Sequence, residues 1–213
     1  MQGLDRSRKT LAAALAALAG YVDAVGYLSA DRYFVSFMSG NTTRLATDLI
    51  ADRARAWIPA LLITGFLTGV AAGSFIAHKA GKLRKPAVMM LVTVLLTTGS
   101  GLAALGYRAA MMACLVLAMG ALNNALQRDE TPVALTYLTG ALVRIGQSIG
   151  AGLAGKAQAP AWPFAVMWAA LSCGAAAGAI AFFIFGPPSL WIAAMSCTLM
   201  TLASWRISRS NRS

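Results

Sequence analysis

Long apolar runs alternate with short polar connectors along the whole chain. Six of these runs reach or approach the about 20 helical residues needed to cross a bilayer core; they cover roughly residues 10–28, 57–77, 86–106, 109–127, 163–185 and 188–205. Two less apolar stretches interrupt the series: 33–50, reading YFVSFMSGNTTRLATDLI, and 133–149, reading VALTYLTGALVRIGQSI. The pattern predicts an all-α fold, a polytopic membrane helix bundle forming a single integral membrane domain over 1–213. If both interrupted stretches cross the bilayer there are eight spans. If each enters and leaves on one side, there are six.

Composition supports the membrane reading. Hydrophobic residues make up 58% of the chain and charged ones 12%, whereas a soluble domain is about half apolar and a quarter charged. The 18 Lys and Arg outnumber 7 Asp and Glu, but they cluster between apolar runs, as in cytoplasmic membrane loops rather than a nucleic-acid groove. No nucleic-acid partner is expected. Setting aside Arg44 and Arg144, six spans divide the other basic residues 12 inside to 4 outside, while eight spans give 10 to 6 at best. Positive residues accumulate on the cytoplasmic side, which favours six spans with both termini cytoplasmic. The start of the chain, RSRK then LAAALAALAG, resembles a secretory signal. The apolar run continues past the small-residue site, and the segment has an internal counterpart, so it reads as a span.

Sliding the chain against itself by 100 residues superposes Gly20 on Gly120, Asp23 on Asn123, Phe37 on Tyr137, Ser39 on Thr139, Gly40 on Gly140, Arg44 on Arg144 and Leu45 on Ile145. Later, Gly69 and Gly73 match Gly174 and Gly178, and Pro86 matches Pro188. Two repeats are expected, 10–106 and 109–205, each with three spans and one irregular segment. An odd number of spans inverts the second repeat; eight spans make the repeats parallel. Inverted repeats with broken segments recur in secondary transporters, whose sites form at the breaks. Small residues at Gly65, Gly69 and Gly73, and at Ala170, Gly174 and Gly178, predict smooth faces for close packing between the repeats, although such seams serve a homodimer equally well. Trp57 and Trp162 are expected as interfacial anchors.

The candidate chemistry lies in the interrupted stretches and at Asp23. Phe37 to Arg44 offers a glycine, hydroxyl and amide groups, then a helix-compatible run; Tyr137 to Gly140 repeats the turn. The expectation is an extended approach turning into a short helix at Gly40, with Ser39, Asn41, Thr42 or, in the second copy, Thr139 capping it. Such backbone sits inside protein or beside water. Two helix starts with Arg44 and Arg144 form an electropositive focus suited to an anionic group. Pairing of Arg44 with Asp48 or Asp23 is the competing reading. Asp23, with Asn123 and Asn124, either lines a polar cavity as a proton or cation carrier or locks helices together through hydrogen bonds. Gln127, Thr136 and Gln147 are weaker cavity candidates.

The motifs GYVDAVGYL, FMSGNTTRL, AMGALNNALQR and LTYLTGALVRIG, in this order across almost the whole chain, resemble the YoaK-like bacterial membrane family, domain of unknown function 1275. The family's second motif often reads Thr-Gly-Asn-Thr and its third Gly-x-Gln-Asn; Ser39 and Asn123 depart from them here. The resemblance implies a protein of the bacterial cytoplasmic membrane and assigns no chemistry. The expected function is a small-solute transporter or permease for an anion or zwitterion. Its substrate site would comprise Asp23, Ser39, Gly40, Asn41, Thr42, Arg44, Asn123, Asn124, Thr139, Gly140 and Arg144, and its partners would be the solute and membrane lipids. The alternative is a non-transporting lipid-binding or assembly factor, for which the basic HKAGKLRK loop would meet anionic headgroups. No nucleophile with a base, metal cluster or phosphate loop is visible, so neither catalysis nor a cofactor is expected. Cys114, Cys173 and Cys197 lie far apart in apolar runs, and His78 is the only histidine, so neither disulfides nor a metal site is expected.

Overall fold

The computed structural model describes residues 6–125, 127–128, 131–132, 138–156 and 161–210. Among the described residues there are eight α-helices: α1 (Arg6–Ser29), α2 (Met38–Ala51), α3 (Trp57–Ala80), α4 (Arg84–Ala104), α5 (Arg108–Leu122), α6 (Leu138–Leu153), α7 (Trp162–Phe185) and α8 (Leu190–Ser210). Two-residue strands, β1 (Gln127–Arg128) and β2 (Thr131–Pro132), pair antiparallel after α5. The 24-residue helices α1, α3 and α7 rise about 36 Å each at 1.5 Å per residue, enough for a bilayer core. The expected 109–127 span is shorter than its apolar run: α5 stops at Leu122, where Asn123 and Asn124 close turns onto Gly120 and Ala121.

The ends of the long helices are set locally. Gly81 (φ +52°) follows α3 and Gly186 (φ +66°) follows α7, conformations that cost a side chain dearly and let the chain reverse. Pro187 and Pro188 follow the second of these and cannot extend α7. The core joins α1, α4 and α5 through Leu15, Val22, Val25, Met89, Leu96, Leu115, Met119 and Leu122. By contrast, α3, α7 and α8 turn Leu67, Phe75, Ile180, Phe183, Met195 and Leu199 outward, an apolar exterior suited to lipid.

The glycine faces pack where the sequence placed them. A Cβ on Gly174 would strike the Ala17 carbonyl, and one on Gly178 would lie 2.9 Å from Tyr21 Cα. In the other seam, a Cβ on Gly69 would strike the Leu117 carbonyl, and one on Gly73 would lie 2.9 Å from Ala121 Cα. Ala17 and Leu117, like Tyr21 and Ala121, are 100 positions apart. Gly20 likewise abuts Leu171 and Ala175 on α7, as Gly120 abuts Phe66 and Val70 on α3. The same contact is therefore made twice, α1 against α7 and α5 against α3, and both pairs run parallel.

Other neighbours run oppositely. Gly99 of α4 faces Met111 and Leu115 of α5, and Thr93 of α4 meets Cys197 and Thr201 of α8 while Ser204 reaches Met89. The Pro187–Ser189 turn touches α4 and α1, and the Tyr21 hydroxyl donates to the Ser189 carbonyl at 2.9 Å. Thus α7 ends, and α8 begins, where α4 finishes. The two short helices lie to the side, α2 on α3 and α6 on α7.

Candidate functional site

Beyond α1 the chain turns back on itself. Asp31 (φ +46°) and Arg32 (φ +62°) adopt the left-handed conformation that non-glycine residues seldom take. This turn is held by Tyr33, 2% exposed, whose hydroxyl donates to Asp48 Oδ2 at 3.0 Å. The next residues run down the side of α1 until Val35 packs against Gly26, leaving no room there for a Cβ. At that depth Asp23 Oδ1 accepts hydrogen bonds from the backbone N–H groups of Val35 (2.8 Å) and Ser36 (2.9 Å). The helix α2 then climbs back toward the end from which the segment came, so that Asp48 meets Tyr33.

Asn41 fixes the start of α2. It is fully buried, accepts from the Phe34 N–H at 3.1 Å and donates to the Phe34 carbonyl at 2.7 Å. Its amide thus stands in for a neighbouring strand, satisfying both backbone groups of one extended residue. The helix begins at Met38, two residues earlier than a turn at Gly40 implies, and its N-cap Phe37 makes no side-chain capping bond. Asp23, from another helix, takes the donors just before it. Gly40 is needed for close approach: a Cβ there would lie 2.8 Å from Phe37 and 2.9 Å from Phe34 ring atoms. The Phe34 ring meets Phe37 edge to face and lies tilted against Tyr27.

The remaining candidates divide between the cluster and the surface. Arg44 lies over the Tyr33 ring at 4.7 Å, with Nε 4.0 Å from Asp48 Oδ2, so the cation is engaged by an aromatic face and a carboxylate. Ser39 and Thr42 are exposed; the Thr42 hydroxyl donates to Met38 O in its own helix. In the second copy, Asn123 donates to Met119 O, and Asn124 donates to Val70 O at 3.0 Å, tying α5 to α3. Thr139 and Arg144 are exposed and Gly140 half-buried on α6. Gln147 is exposed on the same helix. Gln127 stands in β1, and Thr136 and Tyr137 lie outside the described residues. The structure therefore gathers Asp23, Gly40, Asn41 and Arg44 into one cluster with Tyr33, Phe34, Ser36 and Asp48. It carries Thr139, Gly140 and Arg144 on α6, which packs on α7 rather than α3.

The cluster holds two carboxylates, Asp23 and Asp48, and one guanidinium, Arg44, each engaged by neighbouring groups of the chain. Among the described residues no three His, Cys, Asp or Glu side chains lie together as a metal would require. Tyr33, which joins the turn to α2 through Asp48, is not among the sequence candidates; its only signal is that it is the aromatic residue opening the interrupted stretch.

Comparison with known proteins gives a consistent placement. A family described as "Protein of unknown function (DUF1275)" matches residues 11–203. The UPF0700 transmembrane protein RA0705 of Rhizobium meliloti (strain 1021) is 36% identical over 203 residues, covering 93% of this chain and 87% of that protein. No solved structure matches.

Proposed function

The chain belongs to the DUF1275 family of transmembrane proteins, and from that premise we propose that it is a small-solute permease of the bacterial cytoplasmic membrane, without enzymatic activity. In this reading two inverted three-helix repeats, 10–106 and 109–205, each carry one re-entrant segment, α2 or α6. The observation that carries it is the return of the chain between α1 and α3: the segment descends to Asp23, and α2, about 21 Å long at 1.5 Å per residue, brings Asp48 back to Tyr33, so that α1 ends and α3 begins at the same end. Helix directions add support. With α4 pointing one way, α3, α5 and α8 point the other, and α1 and α7 point with α4. The first repeat then reads up, down, up and the second down, up, down.

The same directions sort the charges. Arg6, Arg8, Lys9, Lys79, Lys82, Arg84, Lys85, Lys156 and Arg206 fall at one end, and Arg32, Arg53, Arg55 and Arg108 at the other. On the positive-inside rule the first end is cytoplasmic, and it carries both termini. Each glycine seam joins helices from different repeats into a stiff parallel pair, so two rigid units flank the centre, as rocking transporters require.

The geometry narrows the solute site. Asp23 and Asn41 spend their hydrogen bonds on the chain itself, and Arg44 is held by Tyr33 and Asp48. Arg144 is exposed and makes no ion pair among the described residues, so of the two arginines in the interrupted stretches it is the one left to meet an anionic or zwitterionic solute. The competing reading, a membrane protein that moves no solute, draws on that same self-satisfaction of Asp23 and Asn41. Uptake of small organic and inorganic anions into proteoliposomes, with and without a proton gradient, tests the permease. The expected result is flux of at least one solute that falls strongly in Arg144→Ala. Absence of flux for every candidate, or flux indifferent to that change, would refute it.

A further inference from the structure

The seam between α3 and α5 is tight at Gly69 and Gly73 but opens toward the end where both helices begin. At Gly65 the neighbour is no longer backbone but the Val116 side chain, 3.1 Å from a would-be Cβ. Beyond it lies a crevice of about 420 Å³, walled by Trp57, Leu61, Met112, Ala113 and Val116, a volume within the range of small-molecule sites. The corresponding positions of the other seam carry Ala12, Ala13 and Ala16 on α1 and Ala170 on α7, so the larger side chains that prop this crevice open belong to one copy.

The walls offer nothing to a polar solute. The hydroxyl of Thr64 donates to the carbonyls of Ala60 and Leu61, both at 3.0 Å, and that of Thr68 to the Thr64 carbonyl at 2.8 Å. Each is satisfied within its own helix. The mouth differs. Arg108 and Asp31, both exposed, line it, and neither makes an ion pair among the described residues. Trp57 and Tyr107 stand beside it, each 62% exposed, the aromatic signature of a membrane–water boundary. A dry slot below one cation and one carboxylate complements a molecule with a long apolar chain and a zwitterionic head.

We propose that this crevice is a phospholipid site: one acyl chain lies between α3 and α5, the phosphate meets Arg108 and the amine of the headgroup meets Asp31. The site is independent of the permease reading: Tyr33 lines the crevice as well as the cluster around Asp23 and Asn41, but its hydroxyl is held by Asp48, no proposed lipid contact uses it, and lipid occupancy requires no flux.

The test is native mass spectrometry of the full chain released from nanodiscs of equal phosphatylethanolamine and phosphatidylglycerol content. One lipid retained per chain is expected, with the ethanolamine lipid in excess. Arg108→Ala and the crevice-filling Ala113→Phe each lose it, and Asp31→Asn shifts retention toward the glycerol lipid. Leu61→Trp, on the opposite wall, is a second filling variant should Ala113→Phe fold poorly, and Val143→Phe, on the exposed face of α6, adds the same bulk elsewhere and leaves retention unchanged. Equal retention in the wild type and both filling variants, or preference for the glycerol lipid in the wild type, would overturn the proposal.

Discussion

Replacing Asn41 by alanine removes the side chain that pairs with both backbone groups of Phe34. Asn41 is fully buried and Phe34 half-buried, and the change takes this partner from both the Phe34 N–H and C=O. Each orphaned buried group costs about 1–3 kcal/mol, giving a loss of about 2–6 kcal/mol before the small cavity is counted. That is a large share of the about 5–15 kcal/mol that separates a typical folded domain from its unfolded state. The fully buried Cys197 supplies the assay. In a Cys114→Ser, Cys173→Ser background, a thiol-reactive dye reports unfolding in detergent as temperature rises. Asn41→Ala is expected to label many degrees below the parent. Thr42→Ala, at an exposed hydroxyl bonded within its own helix, stays within about 0.5 kcal/mol of it. Coincident curves for Asn41→Ala and the parent would refute the clamp.

The remaining predictions concern the seams and the carboxylate. Gly69→Val and Gly174→Val both force a side chain into a facing backbone carbonyl and are expected to lower the thiol-labelling temperature by similar amounts; a tolerant Gly174→Val would count against equivalent seams. Asp23→Asn keeps an oxygen to accept from Val35 and Ser36 and is expected to fold as the parent does. Asp23→Leu orphans both donors, and is expected to speed maleimide labelling of a cysteine at Val35, whereas equal labelling in the two variants would show that the carbonyl-like acceptor is not what holds the segment.

Much of the framework was legible because backbone contacts leave a direct mark on the sequence. Gly20, Gly69, Gly73, Gly120, Gly174 and Gly178 are small where another helix's backbone presses, and the four-residue spacing at Gly69, Gly73, Gly174 and Gly178 marked the close-packing faces of α3 and α7, though not the helices that pack on them. The irregular character of 33–50 and a role for Asp48 beside Arg44 were also readable. The partners of Asp23 and Asn41 were not, because both side chains bind backbone groups of Phe34, Val35 and Ser36, and a peptide N–H has no residue code. A capping role for Ser39 or Thr42 looked equally good on paper, yet α2 begins at Met38, so both lie inside the helix, and the Thr42 hydroxyl bonds back to Met38 O. The end of α5 at Leu122 is masked in the sequence because Ala125 and Leu126 follow Asn123 and Asn124 and extend the apparent span. The crevice depends on the difference between Val116 and Ala16 in otherwise matching helices, a matter of side-chain volume that no motif announces.

Cysteine accessibility on either face of the membrane tests the inverted, re-entrant arrangement most directly. Single cysteines replacing Asp31, Arg53 and Lys82 in a cysteine-free chain are challenged with an impermeant maleimide in oriented vesicles. Positions 31 and 53 flank α2 and are expected to label from the same side, with position 82, between α3 and α4, labelling from the other. Labelling of 31 and 53 from opposite sides would mean that α2 crosses the bilayer, and the two halves would then stand upright together rather than inverted.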